Sequence, residues 1–400
     1  MATSKVVFPY CLCEEFNDDM FTSLWAKWPV VGTHIFKNEV IHTDELDVQT
    51  VVRMENRMPL ANYADIPWFN IVPTSVLISN EYRRVLSDVI DISIGKKTSF
   101  DIPFPPDSHE DPFTKTTLSD IDNAFNSFLA LCDETPLSRI AVVTSQRSSG
   151  KTLWLYFVII LRILAGQSTI LETDNTVVAF TAQGFFRFAP MDPIQFSQFF
   201  APGTWYCYDT NAITGNNQRP LYHSCKNFFF LQTTSPGEDR WNNWTYTSGL
   251  PSFIYYMQPL SISEIVIANA YQQHTNTIKE IQANYLVAGP IPTQLYFRDT
   301  VEIIRTIDYK FILMTLEELA ELFITYDTKA ISPELHLILP HSNRRRYEVT
   351  FVSQYVWDKA LKLFHSETVD NQTRLCERLR LFPSTERVAE RFLESMHDSG

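Results

Sequence analysis

Eight residues, Ser145-Gln146-Arg147-Ser148-Ser149-Gly150-Lys151-Thr152, combine hydroxyls, a glycine and a lysine at the spacing of a phosphate-binding loop. The pattern of such a loop is G-x-x-x-x-G-K-[ST]. An apolar run, Ile140–Thr144, precedes the eight residues and a longer one, Leu153–Leu164, follows, which is the strand–loop–helix setting the chemistry needs. Backbone N–H groups of the loop and of the helix it opens then face the phosphates. Gly150 lets the backbone approach without a Cβ. Lys151 carries an ammonium to the β- and γ-phosphates. Thr152 is a ligand for Mg²⁺, an ion that takes a few protein oxygens together with phosphate. Ser145, Ser148 and Ser149 complete the cradle. Serine at 145 replaces the first glycine of the pattern, and if that position needs φ > 0 its Cβ costs about 1–2 kcal/mol. The competing reading of the same residues is a polar strand-to-helix turn capped by serines.

Two further stretches offer partners for that loop. Trp205-Tyr206-Cys207-Tyr208-Asp209 is an apolar run ending in a carboxylate, the form of a strand whose aspartate holds Mg²⁺ directly or through water. Aspartate is also an ordinary turn or cap residue at a strand end. Phe228-Phe229-Phe230-Leu231-Gln232-Thr233-Thr234-Ser235 is a second strand, and its exit places Thr233 and Thr234 where a hydroxyl can sense a terminal phosphate. The plain alternative is a strand-to-turn exit at Ser235-Pro236-Gly237. The residue after Asp209 is Thr210, so no glutamate stands there to activate water; Glu172 and Glu238 are the substitutes the sequence offers.

The elements that would position these groups follow from composition and pattern. The 400 residues are 45% hydrophobic, enough for a large core, and length suggests two or three domains. A net charge of −13 argues against a nucleic-acid surface spread over the chain. Arg344-Arg345-Arg346, the densest basic patch, reads as a solvated hairpin turn. Six cysteines form no C-x-x-C pair, which fits a reducing compartment, cytoplasmic or nuclear, with Cys207 a buried small hydrophobe. The first residues lack the apolar segment of a signal peptide, and Leu153–Leu161 is too short to span a bilayer. Residues 1–75 read as an irregular, proline- and aromatic-rich segment, and 76–135 as a strand, a helix and a linker. Residues 136–260 alternate apolar runs with helices, the signature of an α/β parallel sheet. Residues 261–330 form a helical lid opened by the capping box Ser261-Ile262-Ser263-Glu264, and 331–400 a hairpin plus helices.

The order of these motifs resembles the Crinkler and retrotransposon-hot-spot-like P-loop proteins, in particular the large fungal set. Four stretches carry the resemblance: Ser149–Tyr156 with Leu161-Arg162-Ile163-Leu164; Gln232-Thr233-Thr234-Ser235-Pro236 followed by Trp244, Tyr255–Leu260 and Glu264; Gly289-Pro290-Ile291-Pro292; and Leu335–Pro340 with Tyr347–Ser353. Membership implies a P-loop NTPase core of the STAND/AAA-like kind with a helical C-terminal lid. It also implies ATP with Mg²⁺ as ligands, and hydrolysis that drives a conformational switch. Thr293 stands where the family carries an arginine after Gly-x-x-Pro, and Arg298 is the nearby substitute. Together with serine at 145, this leaves open a degenerate relative that hydrolyses nothing and acts as a protein-interaction module or effector, alone or as an oligomer. A toxin or effector acting on nucleic acid is the third possibility, by family analogy alone; the acidic charge and the lack of clustered carboxylates count against it.

Overall fold

The computed structural model describes residues 13–16, 25–26, 35–43, 46–55, 75–96, 137–146, 148–173, 176–189, 191–210, 220–235, 242–272, 276–324, 334–341 and 344–398. Arg147, Glu238, Cys11, Cys132 and the expected linker and helix between 97 and 136 lie outside them. Strands β1 (Cys13–Phe16), β2 (Phe36–Thr43), β3 (Leu46–Glu55) and β4 (Ser75–Ile78) lead into helix α1 (Asn80–Ser93). Next come β5 (Ile140–Thr144), α2 (Lys151–Leu164), β6 (Thr169–Thr173), β7 (Thr176–Thr181), β8 (Gly184–Phe188), α3 (Pro193–Gln198), β9 (Trp205–Asp209) and β10 (Phe229–Thr234). After α4 (Asn242–Ser248) and β11 (Ser252–Tyr256) the chain is helical: α5 (Ile262–Asn269), α6 (Ile278–Ala288), α7 (Pro292–Phe297), α8 (Thr300–Leu313) and α9 (Leu316–Ile324). A hairpin, β12 (His336–Pro340) and β13 (Tyr347–Phe351), is followed by α10 (Gln354–His365), α11 (Val369–Arg380) and α12 (Glu386–Asp398).

An eight-stranded sheet in the order β1-β8-β7-β6-β9-β10-β5-β11 forms the α/β core. From β6 to β11 the neighbours are parallel. The remaining strands are antiparallel, so the sheet is mixed where the apolar runs alone predict a parallel one. The reason is local. Thr173 pairs with Thr176 across the β6–β7 turn, far too short for the crossover of about a dozen residues that parallel strands need. Strands β5, β9 and β10 are buried on both faces. Ala141, Val143, Cys207 and Leu231 pack on α2, while Ile140, Val142, Tyr206 and Phe230 pack on Phe196, Tyr222 and Trp244.

Helix α2 is apolar on nearly every side because it is covered on both. The sheet lies beneath it, and α1 with the antiparallel sheet β2-β3-β4 lies above, through Phe36, Met54, Val76 and Tyr82. Its buried Arg162 donates to Thr169 Oγ1 at 2.9 Å, Gln167 Oε1 at 2.7 Å and Ser168 O at 2.9 Å, with its guanidinium 4.3 Å from the Trp205 ring centroid. Among its described residues, the stretch read as irregular, 1–75, thus holds strands β1, β2 and β3, the last two paired in the small sheet. A separate core joins the helices from α5 onward to the hairpin. The Ser261 capping box is present, with Glu264 N–H on Ser261 Oγ and the Glu264 carboxylate on Ser261 N–H. The single helix expected over Leu295–Ile307 is broken at Arg298, where extended backbone lets Asp299 cap α8. Helix α11, which the reading of the sequence passes over, buries Gln372, Leu375, Cys376 and Leu379 at helical spacing.

Candidate functional site

Strand β5 ends at Thr144, and the chain turns through residues 145–150 into α2. The left-handed backbone falls on Ser148 (φ 64°) and Gly150 (φ 85°); Ser145 does not adopt it. The cost anticipated for serine at 145 is therefore absent there, and among the described loop residues the strained non-glycine position is Ser148. Ser145 is fully buried, and its Oγ meets Ser149 Oγ. Lys151 folds over the loop, donating from Nζ to Ser145 O at 3.0 Å and Gln146 O at 2.8 Å. The start of α2 has no side-chain cap on its first N–H groups.

The neighbouring strands bring two more groups to that turn. Thr152 Oγ1 donates to Asp209 Oδ2 at 2.6 Å. Strand β10 lies between β5 and β9 and aligns Thr233 with both Asp209 and Val143. Residues paired in register share a face, so Thr233 stands beside Asp209 on the α2 side. Thr234 is one step on and on the opposite face, aligned with Thr144, and its hydroxyl donates to Ser235 O at 3.0 Å. Of the two threonines, only Thr233 joins the loop side. Its Oγ1 is buried with no hydrogen-bond partner.

Other candidates are placed elsewhere. Glu172 lies on the far face of the sheet, aligned with Tyr208. Its carboxylate accepts from Tyr206 Oη and, at 2.9 Å and 3.1 Å, from Leu221 N–H. Burial pushes its acid up to about 7, against those hydrogen bonds. It is thus a buried structural acid and not a base beside Asp209. Thr210 turns its hydroxyl to Thr233 O at 3.1 Å. Arg298 pairs with Glu302 at 3.6 Å. Cys207, Cys225 and Cys376 are buried free thiols, and burial raises Cys207 to about 12.

The loop is also touched by residues that its motif does not name. Ser148 Oγ is 2.9 Å from Thr293 Oγ1, at the start of α7. Gln146 Nε2 donates to His336 O at 3.1 Å across 190 residues of chain. Tyr82 Oη donates to Gly150 O at 2.7 Å. Arg344, expected in a solvated turn, is buried and forks onto Glu81 with two 3.0 Å contacts. No local pattern announces these contacts, because each joins segments far apart in the chain. Among the described residues no group of three or more His, Cys, Asp or Glu side chains is placed to hold a metal ion, and no helix is long and apolar enough to cross a membrane. No family model matches the chain, and no curated protein is significantly similar to it.

Proposed function

We propose that this chain binds a nucleoside triphosphate, ATP with Mg²⁺, at the loop Ser145–Thr152, as a P-loop NTPase of the STAND/AAA-like kind. The observation that carries the reading is the 2.6 Å hydrogen bond between Thr152 Oγ1 and Asp209 Oδ2. It joins the hydroxyl that follows the loop lysine to a carboxylate at a parallel strand end. A hydroxyl and a carboxylate together with phosphate oxygens form the donor set Mg²⁺ accepts. Lys151 would exchange the carbonyls of residues 145 and 146 for the β- and γ-phosphates, a trade of neutral acceptors for anionic ones. Thr152 and Asp209 would hold Mg²⁺, which neutralises charge between the phosphates. Thr233 would give its unpartnered hydroxyl to the terminal phosphate. Thr293, from the lid, already reaches the loop at Ser148 and would couple occupancy to the C-terminal helices. Membership of the Crinkler and retrotransposon-hot-spot-like set is part of this proposal and rests on motif order.

A second reading, nucleotide or partner binding without turnover, is favoured by Thr210 and Thr293. The first has its hydroxyl on a backbone carbonyl where a glutamate would polarise water, and the second is a threonine where the family has arginine. Calorimetry with Mg·ATP on the wild type and Lys151→Ala tests binding. The variant is expected to lose at least about tenfold in affinity. Equal affinity in both proteins, or none in either, overturns the proposal. Phosphate release that disappears in Asp209→Asn would overturn the second reading.

A further inference from the structure

The loop is held from outside at one peptide. Gly150 O accepts both the Tyr82 hydroxyl at 2.7 Å and the Trp154 N–H at 2.9 Å. Two donors on one carbonyl fix the plane of the Gly150–Lys151 peptide. Because a peptide is planar and trans, the Lys151 N–H is then directed the opposite way, out of the start of α2. Tyr82 is itself fixed. It is 3% exposed, its ring stacks on Phe157, its N–H donates to Ser79 Oγ, and its carbonyl accepts the Trp154 indole N–H at 2.9 Å. The fit is close: a Cβ at Gly150 would lie 2.1 Å from Tyr82 Oη.

The preceding residue, Glu81, faces the C-terminal hairpin. Its two oxygens meet Arg344 Nη1 and Nη2 at 3.0 Å each, and Gln258 N–H donates to Oε1 at 3.0 Å. Arg344 Nη2 also donates to Gln258 Oε1 at 3.2 Å, and Arg344 O accepts Tyr256 N–H at 2.9 Å. Arg344 is 3% exposed and has φ 55°, a backbone that a non-glycine residue adopts only under constraint.

We propose that Glu81, Tyr82 and Arg344 form a relay of positioning residues through which the hairpin β12–β13 sets the Gly150–Lys151 peptide, and with it the loop's affinity for nucleotide phosphates. The relay rests on the phosphate-binding reading above. Glu81 and Tyr82 are consecutive in the first turn of α1, so their side chains diverge by about 100°. One reaches the hairpin and the other the loop. The buried Arg–carboxylate fork is directional, so a displaced hairpin moves the turn instead of sliding past it.

The test is a double-mutant cycle on the full chain, read by calorimetry with Mg·ATP and with Mg²⁺ plus inorganic tripolyphosphate. Tyr82→Phe removes only the hydroxyl, and Arg344→Lys keeps the charge but not the fork. Each is expected to weaken both probes about fivefold, the size of one hydrogen bond. The double variant should lose little more than either single, because both act along one path. Losses that simply add, as from general loosening, overturn the relay, as does unchanged affinity in Tyr82→Phe. Should Arg344→Lys not fold, Glu81→Gln takes its place in the cycle. A wild type that binds neither probe overturns the phosphate reading and the relay together; a wild type that binds, with Tyr82→Phe equal to it, overturns the relay only.

Discussion

Thr233 carries a hydroxyl that is fully buried and unpartnered at the end of the strand between the loop and Asp209. An unsatisfied buried hydroxyl costs about 1–3 kcal/mol, a cost that the phosphate contact proposed for Thr233 would offset. Thr233→Val keeps the shape and removes the oxygen. The variant is expected to be as stable as the wild type or up to about 1 kcal/mol more stable, with weaker Mg·ATP binding. Urea unfolding and calorimetry on the same sample check this. A clear loss of stability would show that the hydroxyl serves the fold.

Glu172, on β6, shows how an element decides a residue's role. Strand alternation puts it on the sheet face away from Asp209, among aromatic side chains. Burial raises its acid from 4.5 to about 7. The folded state therefore prefers the protonated form. The stability this contributes is fully present below about pH 4.5 and is lost as pH rises through about 7, a loss of up to about 3 kcal/mol. Glu172→Gln is neutral at every pH, so the wild type should weaken relative to it between pH 5 and pH 8, roughly the range in which the acid titrates. Denaturant midpoints at the two ends of that range measure it. Parallel profiles would remove Glu172 as the cause.

At the scale of the molecule, the loop lies where three bodies of packing meet. The two faces of the sheet carry one core each, and the C-terminal helices with the hairpin form the third. Contacts from Thr293 and His336 reach the loop from the third. A ligand held there should stabilise the protein by mass action, by about 2.7 kcal/mol at a hundred times its dissociation constant. The thermal midpoint is thus expected to rise with Mg·ATP in the wild type and to rise by clearly less in Lys151→Ala. A midpoint that rises equally in both would mean that the nucleotide binds elsewhere.

The loop, the strand ending in Asp209, the Thr233 exit and the Ser261 capping box were legible in the chain because each is a short-range pattern of residue type and spacing. Apolar runs also marked β5, β9 and β10, since strands buried on both faces need apolar residues at every position. Strand direction was not legible at β7, where turn length decided it. Inside 1–75, the alternation of Leu46, Val48, Thr50, Val52 and Met54 with mostly polar neighbours marks β3, and reading that stretch as irregular passes over it. Only the tertiary structure chose Thr233 over Thr234, set Glu172 aside, and moved the left-handed burden from Ser145 to Ser148. It alone turned Arg344 from a surface arginine into a buried partner of Glu81. Those outcomes depend on which face, which neighbour and which backbone angle each residue receives, and long-range packing sets all three.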